Sequence, residues 1–118
     1  MKVLGLVWLG MRTEKFDATV DLLTSVMGIP IVRREPNLAG FEVPDSFAME
    51  VFRPEDEFHS FFTTGPVVGF LVDDVEGARR EMEAAGVEFI GPIQTDGRTR
   101  WNHFRMPDGT VCEIKSGA

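Results

Sequence analysis

The chain has one cysteine, Cys112, and no tyrosine. A single thiol cannot close an internal disulfide, so burial must hold the fold together and a reducing compartment suits it. No apolar run reaches the roughly eighteen residues that a membrane-spanning helix needs. Only Lys2 precedes the strand-like run Val3-Leu4-Gly5-Leu6-Val7-Trp8, too little charge and length for a secretion signal. A cytoplasmic protein is therefore expected. Basic residues are also scarce, 12 against 19 acidic ones, for a net charge of −7. Such a surface repels phosphate backbones, so neither nucleic acid nor membrane is an expected partner. Phosphate-binding glycine loops, nucleophile elbows and paired-cysteine metal motifs are missing as well, which sets those reaction classes aside.

What remains is an ordinary globular composition. Of 118 residues, 43% are hydrophobic, enough for one domain or for two very small units sharing a core. Residues 3–11 read as a strand. From Asp17 to Met27 the apolar residues Phe16, Val20, Leu23 and Met27 recur at helical spacing, widened by Leu22 and Val26. Thr13 suits the entry turn, and Gly28 suits a left-handed residue that ends the helix. Ile29–Arg33 is a short strand, Glu35-Pro36-Asn37 a turn, and Phe41-Glu42-Val43 the start of another strand. Pro44-Asp45-Ser46 turns the chain into Phe47–Phe52.

An acidic connector, Arg53 to Phe58, follows, and then the same order returns. Val67–Val72 is a strand, and Val75, Ala78, Met82 and Ala85 space a helix that stops at Gly86. Val87–Ile90 is a strand, Gln94–Arg100 a polar loop, and Trp101–Arg105 a strand. Pro107-Asp108-Gly109 turns into the last strand, Val111–Lys115.

This return is an internal repeat. Gly28 corresponds to Gly86, each followed by a β-branched residue. Pro44-Asp45-Ser46-Phe47-Ala48-Met49-Glu50 corresponds to Pro107-Asp108-Gly109-Thr110-Val111-Cys112-Glu113, so each hairpin sets a glutamate five residues after its turn aspartate. One Pro-Asp turn means little, but two matched turns behind two matched helix stops are hard to obtain by chance. The fold class is α+β: two βαβββ modules, about residues 1–54 and 64–118, whose sheets curve around a cleft with helices outside. A unit this small cannot bury both sheet faces alone. Strand alternation puts Leu9, Met11, Val68, Phe70 and Val72 on the helix side and Trp8 and Val67 on the cleft side.

With this repeat the chain resembles the vicinal oxygen chelate superfamily, which includes glyoxalases, extradiol dioxygenases, and fosfomycin and bleomycin resistance proteins. The likeness spans almost the whole chain. It rests on Met27-Gly28-Ile29, on Phe70-Leu71-Val72-Asp73-Asp74-Val75, and on Met106-Pro107-Asp108-Gly109 leading to Glu113. Metal-dependent members take four ligands, one on the first and one on the last strand of each module. The resemblance puts the last-strand positions on Glu50 and Glu113, both suitable oxygen ligands. The first-strand positions fall on Trp8 and Val67, which bind no metal. Bleomycin resistance proteins are similar in that respect, as metal-free clefts that sequester a drug.

Glu50 and Glu113 are thus expected in the cleft as metal ligands, a general base or anchors for a cation. The alternative is a pair of solvated strand carboxylates kept by duplication. For His103 two registers are open: a three-residue turn pairs it with Glu113, whereas a two-residue turn puts Phe104 there. A His103–Glu113 pair can supply a base or, with Glu50, a non-standard metal site; the plain alternative is a histidine packed beside Trp101. Trp8, Val67 and Trp101 are expected ligand-lining residues, Trp8 as a stacking surface. His59 is expected at the surface or an interface, and Arg100 and Arg105 either hold an anion or are simply exposed. Cys112 reads as a buried small residue.

Three functions stay open. The first is a small-molecule binding protein without the four-ligand metal site. The second is a divalent-metal lyase, isomerase or dioxygenase-like enzyme using Glu50, Glu113 and His103. The third is a metal-free enzyme removing a proton next to a carbonyl. The cofactor is accordingly none or a divalent metal. A homodimer is expected, with the apolar segment Phe58-His59-Ser60-Phe61-Phe62 as its candidate contact.

Overall fold

The structure is a computed structural model that describes residues 1–117. Eight strands and two helical segments run in the order βαβββ–βαβββ: β1 (Val3–Arg12), α1 (Phe16–Asp21, continued by a wider turn over Leu22–Val26), β2 (Ile31–Glu35), β3 (Leu38–Glu42), β4 (Ala48–Phe52), β5 (Val67–Val72), α2 (Val75–Ala84), β6 (Phe89–Asp96), β7 (Thr99–Arg105) and β8 (Val111–Ser116). The α+β class and the repeat are as expected. The chain forms two compact units: Trp8–Pro66, and Met1–Val7 together with the chain from Val67 onward.

In the first unit the strands lie in the order β2-β3-β4-β1, with β4 parallel to β1 and the other pairs antiparallel. Phe16, Val20 and Leu23 of the helical segment pack on Ala39, Phe41 and Val51, with Met11 and Met49 alongside. The helix differs from the expected single run to Met27. After Asp21 it widens, and the Met27 N–H donates to the carbonyl of Leu22, five residues back, at 2.9 Å. The Thr24 hydroxyl donates to the Val20 carbonyl at 2.8 Å, a local bond that competes with the helical ladder. Gly28 then ends the segment at φ +69°, the left-handed role expected of it.

The second unit repeats this plan with β5-β8-β7-β6, β5 and β8 being parallel. Val75 and Ala78 of α2 pack on Val72, Phe104, Cys112 and Ile114, so Cys112 faces the helix as expected. Gln94–Arg100 is not a loop: Gln94, Thr95 and Asp96 pair with Trp101, Arg100 and Thr99 across a two-residue turn. Gly97, the first of the two turn residues, takes φ +61°, and Gly97-Arg98 is the hairpin signal that polar composition concealed. The strand β6 bulges between Ile90 and Gln94. Buried Asn102 faces the bulge, its Nδ2 3.4 Å from the Gly91 carbonyl and its Oδ1 accepting from Arg79 at 2.8 Å.

The two glutamate hairpins use different turns. In the first, Asp45 carries φ +54° and the Ser46 N–H donates to the Val43 carbonyl at 3.1 Å. In the second, the positive φ (+92°) moves one place on to Gly109, whose N–H donates to the Met106 carbonyl at 2.8 Å. Both leave three residues in the loop, because Val43 N–H bonds Phe47 and Met106 N–H bonds Thr110. That length sets the register of everything downstream.

Candidate functional site

The three-residue turn brings His103 opposite Glu113, and Phe104 opposite Cys112. The first of the two open registers is the one adopted. Cys112 and Ile114 belong to the helix-side core, so Glu113, between them, points to the opposite face, and so does His103. Both side chains are buried, with His103 2% and Glu113 4% exposed. His103 Nε2 lies 3.1 Å from Glu113 Oε2. The other carboxylate oxygen, Glu113 Oε1, is buried and has no hydrogen-bond partner among the described residues. A buried acceptor left open costs about 1–3 kcal/mol, more if charged, so it calls for an explanation. Trp101 pairs with Lys115 one step along the same face, and Gly69 is the other strand neighbour of Glu113.

The equivalent face of the first unit carries Glu50, between Met49 and Val51 of the helix-side core. Its strand neighbours are Gly10 and Gly40, neither of which offers a side chain. The place over Gly10 is taken by Trp8, so that a Cβ on Gly10 would collide with the indole ring. Trp8 is 4% exposed and its Nε1–H donates to Glu50 Oε1 at 2.7 Å. On the other side Arg33 lies against Gly40, with Nη1 3.6 Å from Glu50 Oε2. Val67 holds the place of Trp8 in the second unit and is fully buried.

The connector differs from expectation. Of the phenylalanines in its aromatic segment Phe58 is exposed, Phe61 half-buried and Phe62 buried. Phe62 meets the Trp8 ring edge-on at 6.1 Å, and His59 stacks on Phe52 at 3.8 Å. His59 is therefore half-buried rather than at the surface, with Nδ1 3.0 Å from Asp56 Oδ1. Arg12, on the Trp8 face, holds the connector through the Pro54 and Ser60 carbonyls. Arg100 and Arg105 do not form an anion clamp: Arg100 pairs with Glu76, and Arg105 with Glu88 at 3.3 Å and the Gly109 carbonyl at 3.0 Å. A groove of about 400 Å³ between α1 and the β2–β3 hairpin also escaped the sequence reading. Of its two arginines, Arg34 and Arg53, the latter is already engaged, with Asp17 at 2.9 Å and the Phe16 ring at 4.1 Å.

Residues 5–114 match the Glyoxalase/Bleomycin resistance protein/Dioxygenase superfamily. The chain belongs to this superfamily. A search of curated proteins found no match. Among solved structures this superfamily member is similar to methylmalonyl-CoA epimerase from Mycobacterium tuberculosis, at 21% identity and TM-score 0.76, covering 98% of this chain and 89% of that one. It is also similar to a Mn(II)-bound glyoxalase from Novosphingobium aromaticivorans, at 22% identity and TM-score 0.77, over 98% of this chain and 39% of that one. A variant of the Streptomyces coelicolor methylmalonyl-CoA epimerase, in complex with 2-nitronate-propionyl-CoA, shares 17% identity at TM-score 0.73, over 99% of both chains. At these identities the likeness shows the fold.

The superfamily includes metal-binding members, and a divalent ion needs several lone-pair donors converging on one point. Val67 has no donor atom, and Trp8 directs an N–H, not a lone pair, at Glu50. Among the described residues no group of three or more His, Cys, Asp or Glu side chains converges on a common point. The residues at the four family positions do not fit the metal.

Proposed function

We propose that this protein binds a small molecule in the cleft of the superfamily fold without the four-ligand metal site, with His103 and Glu113 as its polar anchor. The observation that carries this reading is the bond from Trp8 to Glu50: a buried indole N–H occupies the carboxylate oxygen that a metal would need. Trp8 and Trp101 supply apolar lining for the ligand, whereas Val67, expected there too, is fully buried; a mostly apolar site with a few placed polar groups is the usual form of such a site. Exposed Val3, Leu4, Leu6 and Phe58 support a homodimer, because apolar strand surface left bare invites association. The net charge and single buried thiol support a cytoplasmic setting.

The test is metal content of the purified protein, followed by thermal melts of chelator-stripped protein with nickel, zinc, manganese or iron(II). A ligand that binds only the native state raises the melting temperature. No rise is expected with any metal, and a rise is expected with aromatic or cationic small molecules. A metal-dependent rise that Glu50→Gln or Glu113→Gln abolishes would replace this reading with a metal-dependent lyase, isomerase or dioxygenase.

The buried His103–Glu113 pair favours a second reading, a metal-free enzyme acting on a carbon acid. A carboxylate or imidazole in a desolvated site can take a proton from carbon next to a carbonyl, while the C–H electron pair moves onto the carbonyl oxygen. The epimerases among the similar structures are consistent with that class. Its test is uptake of solvent deuterium next to the carbonyl of methylmalonyl-CoA, followed by NMR. No uptake above the uncatalysed rate, or uptake that survives Glu113→Gln, removes this reading.

A further inference from the structure

The two units solve the same problem differently, and the difference points to the chemistry of the ligand. Glu50 and Glu113 hold equivalent places: each follows its turn aspartate by five residues, and each has a glycine, Gly10 or Gly69, beside it on the parallel strand. Two residues before each glycine stands Trp8 or Val67. In the first unit Trp8 reaches over Gly10 and donates its N–H to Glu50 Oε1 at 2.7 Å. In the second unit Val67 has no donor and is too short to repeat that reach. Glu113 Oε1 is the oxygen left open, buried and without a hydrogen-bond partner among the described residues.

We infer that the ligand itself supplies the missing donor: an N–H or O–H group, such as a hydroxyl, amide or amine, that bonds Glu113 Oε1 where the first unit uses its own indole. The inference rests on the reading above, that the His103–Glu113 pair anchors a small molecule. His103 Nε2 lies 3.1 Å from Oε2 on the side opposite Gly69, so Oε1 is the oxygen left for a ligand's donor. A site built around an unpaired buried acceptor discriminates strongly, because a ligand without the donor leaves the acceptor desolvated and unmet.

The test uses matched probes that differ only in the donor: benzamide against N,N-dimethylbenzamide, and benzyl alcohol against benzyl methyl ether. Each is titrated into the full chain, with binding read by the rise in melting temperature and by calorimetry. The donor-bearing member of each pair should bind about tenfold more tightly or better, as expected when a buried carboxyl oxygen gains its missing donor. In Glu113→Met, which keeps the volume and removes the acceptor, that preference should fall to about twofold or less. Val67→Trp, which restores the first unit's own donor, should bind none of the probes.

Equal binding of both members of each pair overturns the inference and leaves the proposed binding function standing. Binding of the methylated members alone does the same. If no probe binds, or if an ordered water on Oε1 resists displacement by all of them, the inference is overturned. A metal that raises the melting temperature through Glu113 overturns both the inference and the function it rests on. Should Val67→Trp fail to fold, the response of Glu113→Met decides.

Discussion

The two modules share a backbone plan and diverge at a few side chains on one face. In the first, the glutamate is enclosed by its own chain: Trp8 on one side, Arg33 on the other, and the connector's Phe62 and His59 packed on the neighbouring aromatic rings. In the second, the glutamate keeps a histidine partner and an open oxygen. Duplication therefore produced one self-satisfied carboxylate and one unsatisfied carboxylate. Burying a polar group without a partner costs stability, so the second module carries a cost that the first avoids.

That contrast can be broken most severely at Trp8. Trp8→Val makes the first module imitate the second, removing a buried ring and leaving Glu50 without its indole donor. A loss of about 3–5 kcal/mol is expected from comparable aromatic truncations, read by urea denaturation. A loss below about 1 kcal/mol would mean that the ring is not a structural filler. Gly10→Ala attacks the same packing from beneath, since the new methyl group collides with the Trp8 ring. Overpacking of this kind costs about 1–3 kcal/mol, and Trp8 fluorescence should shift as the ring moves.

Cys112 sharpens the comparison from the helix side. Burial pushes its thiol above the ordinary value, with the nearby negative charge of Asp108 acting in the same direction. A raised pKa means that the folded state holds the proton more tightly than the unfolded state. The stabilisation is fully present below the ordinary thiol pKa of about 8.5 and is lost as the pH rises through the folded-state value. The urea midpoint should accordingly decline in alkaline buffer, and Cys112→Ala should flatten that decline. Thiol reagents should label Cys112 slowly in the native protein and quickly in urea.

The smallest effect concerns the turns. Asp45 adopts the left-handed conformation that Gly109 occupies without strain one place further on in the other hairpin. Asp45→Gly should stabilise by about 0.5–1 kcal/mol, because relief of that strain outweighs the added freedom of the unfolded chain. Gly109→Ala should destabilise by a similar amount or more. Thermal melts of the pair would show whether the two turns are interchangeable.

Much of this arrangement was legible in the sequence because it depends on periodicity and turn length. The alternation Met49-Glu50-Val51 and Cys112-Glu113-Ile114 put both glutamates opposite the helices, and Gly28 and Gly86 marked both helix ends. The turn at Pro107–Gly109 gave two registers for His103, and only the structure selects between them. What escaped depends on contacts distant in sequence. Nothing near Trp8 announces a bond to Glu50, forty-two residues away. The connector's phenylalanines look equally apolar on paper, yet Phe58 is exposed while Phe62 is enclosed against Trp8 and Phe52. The β6–β7 hairpin was hidden by its polarity: Gln94, Thr95 and Arg100 pair through their backbones, and strand pairing at a solvated edge does not require apolar side chains.

One feature of β1 bears on how such a chain can be taken apart. Its first residues, through Val7, belong to the compact unit that resumes at Val67, while Trp8 to Arg12 belong to the other. The repeat unit of the sequence and the compact unit of the structure are therefore different partitions of the same residues. Proteolysis between Pro66 and Val67 would yield two fragments, each lacking or carrying a piece that the other needs. A circular permutation that joins the two ends of this chain and opens it at residue 66 would instead keep the second unit's two segments covalently together.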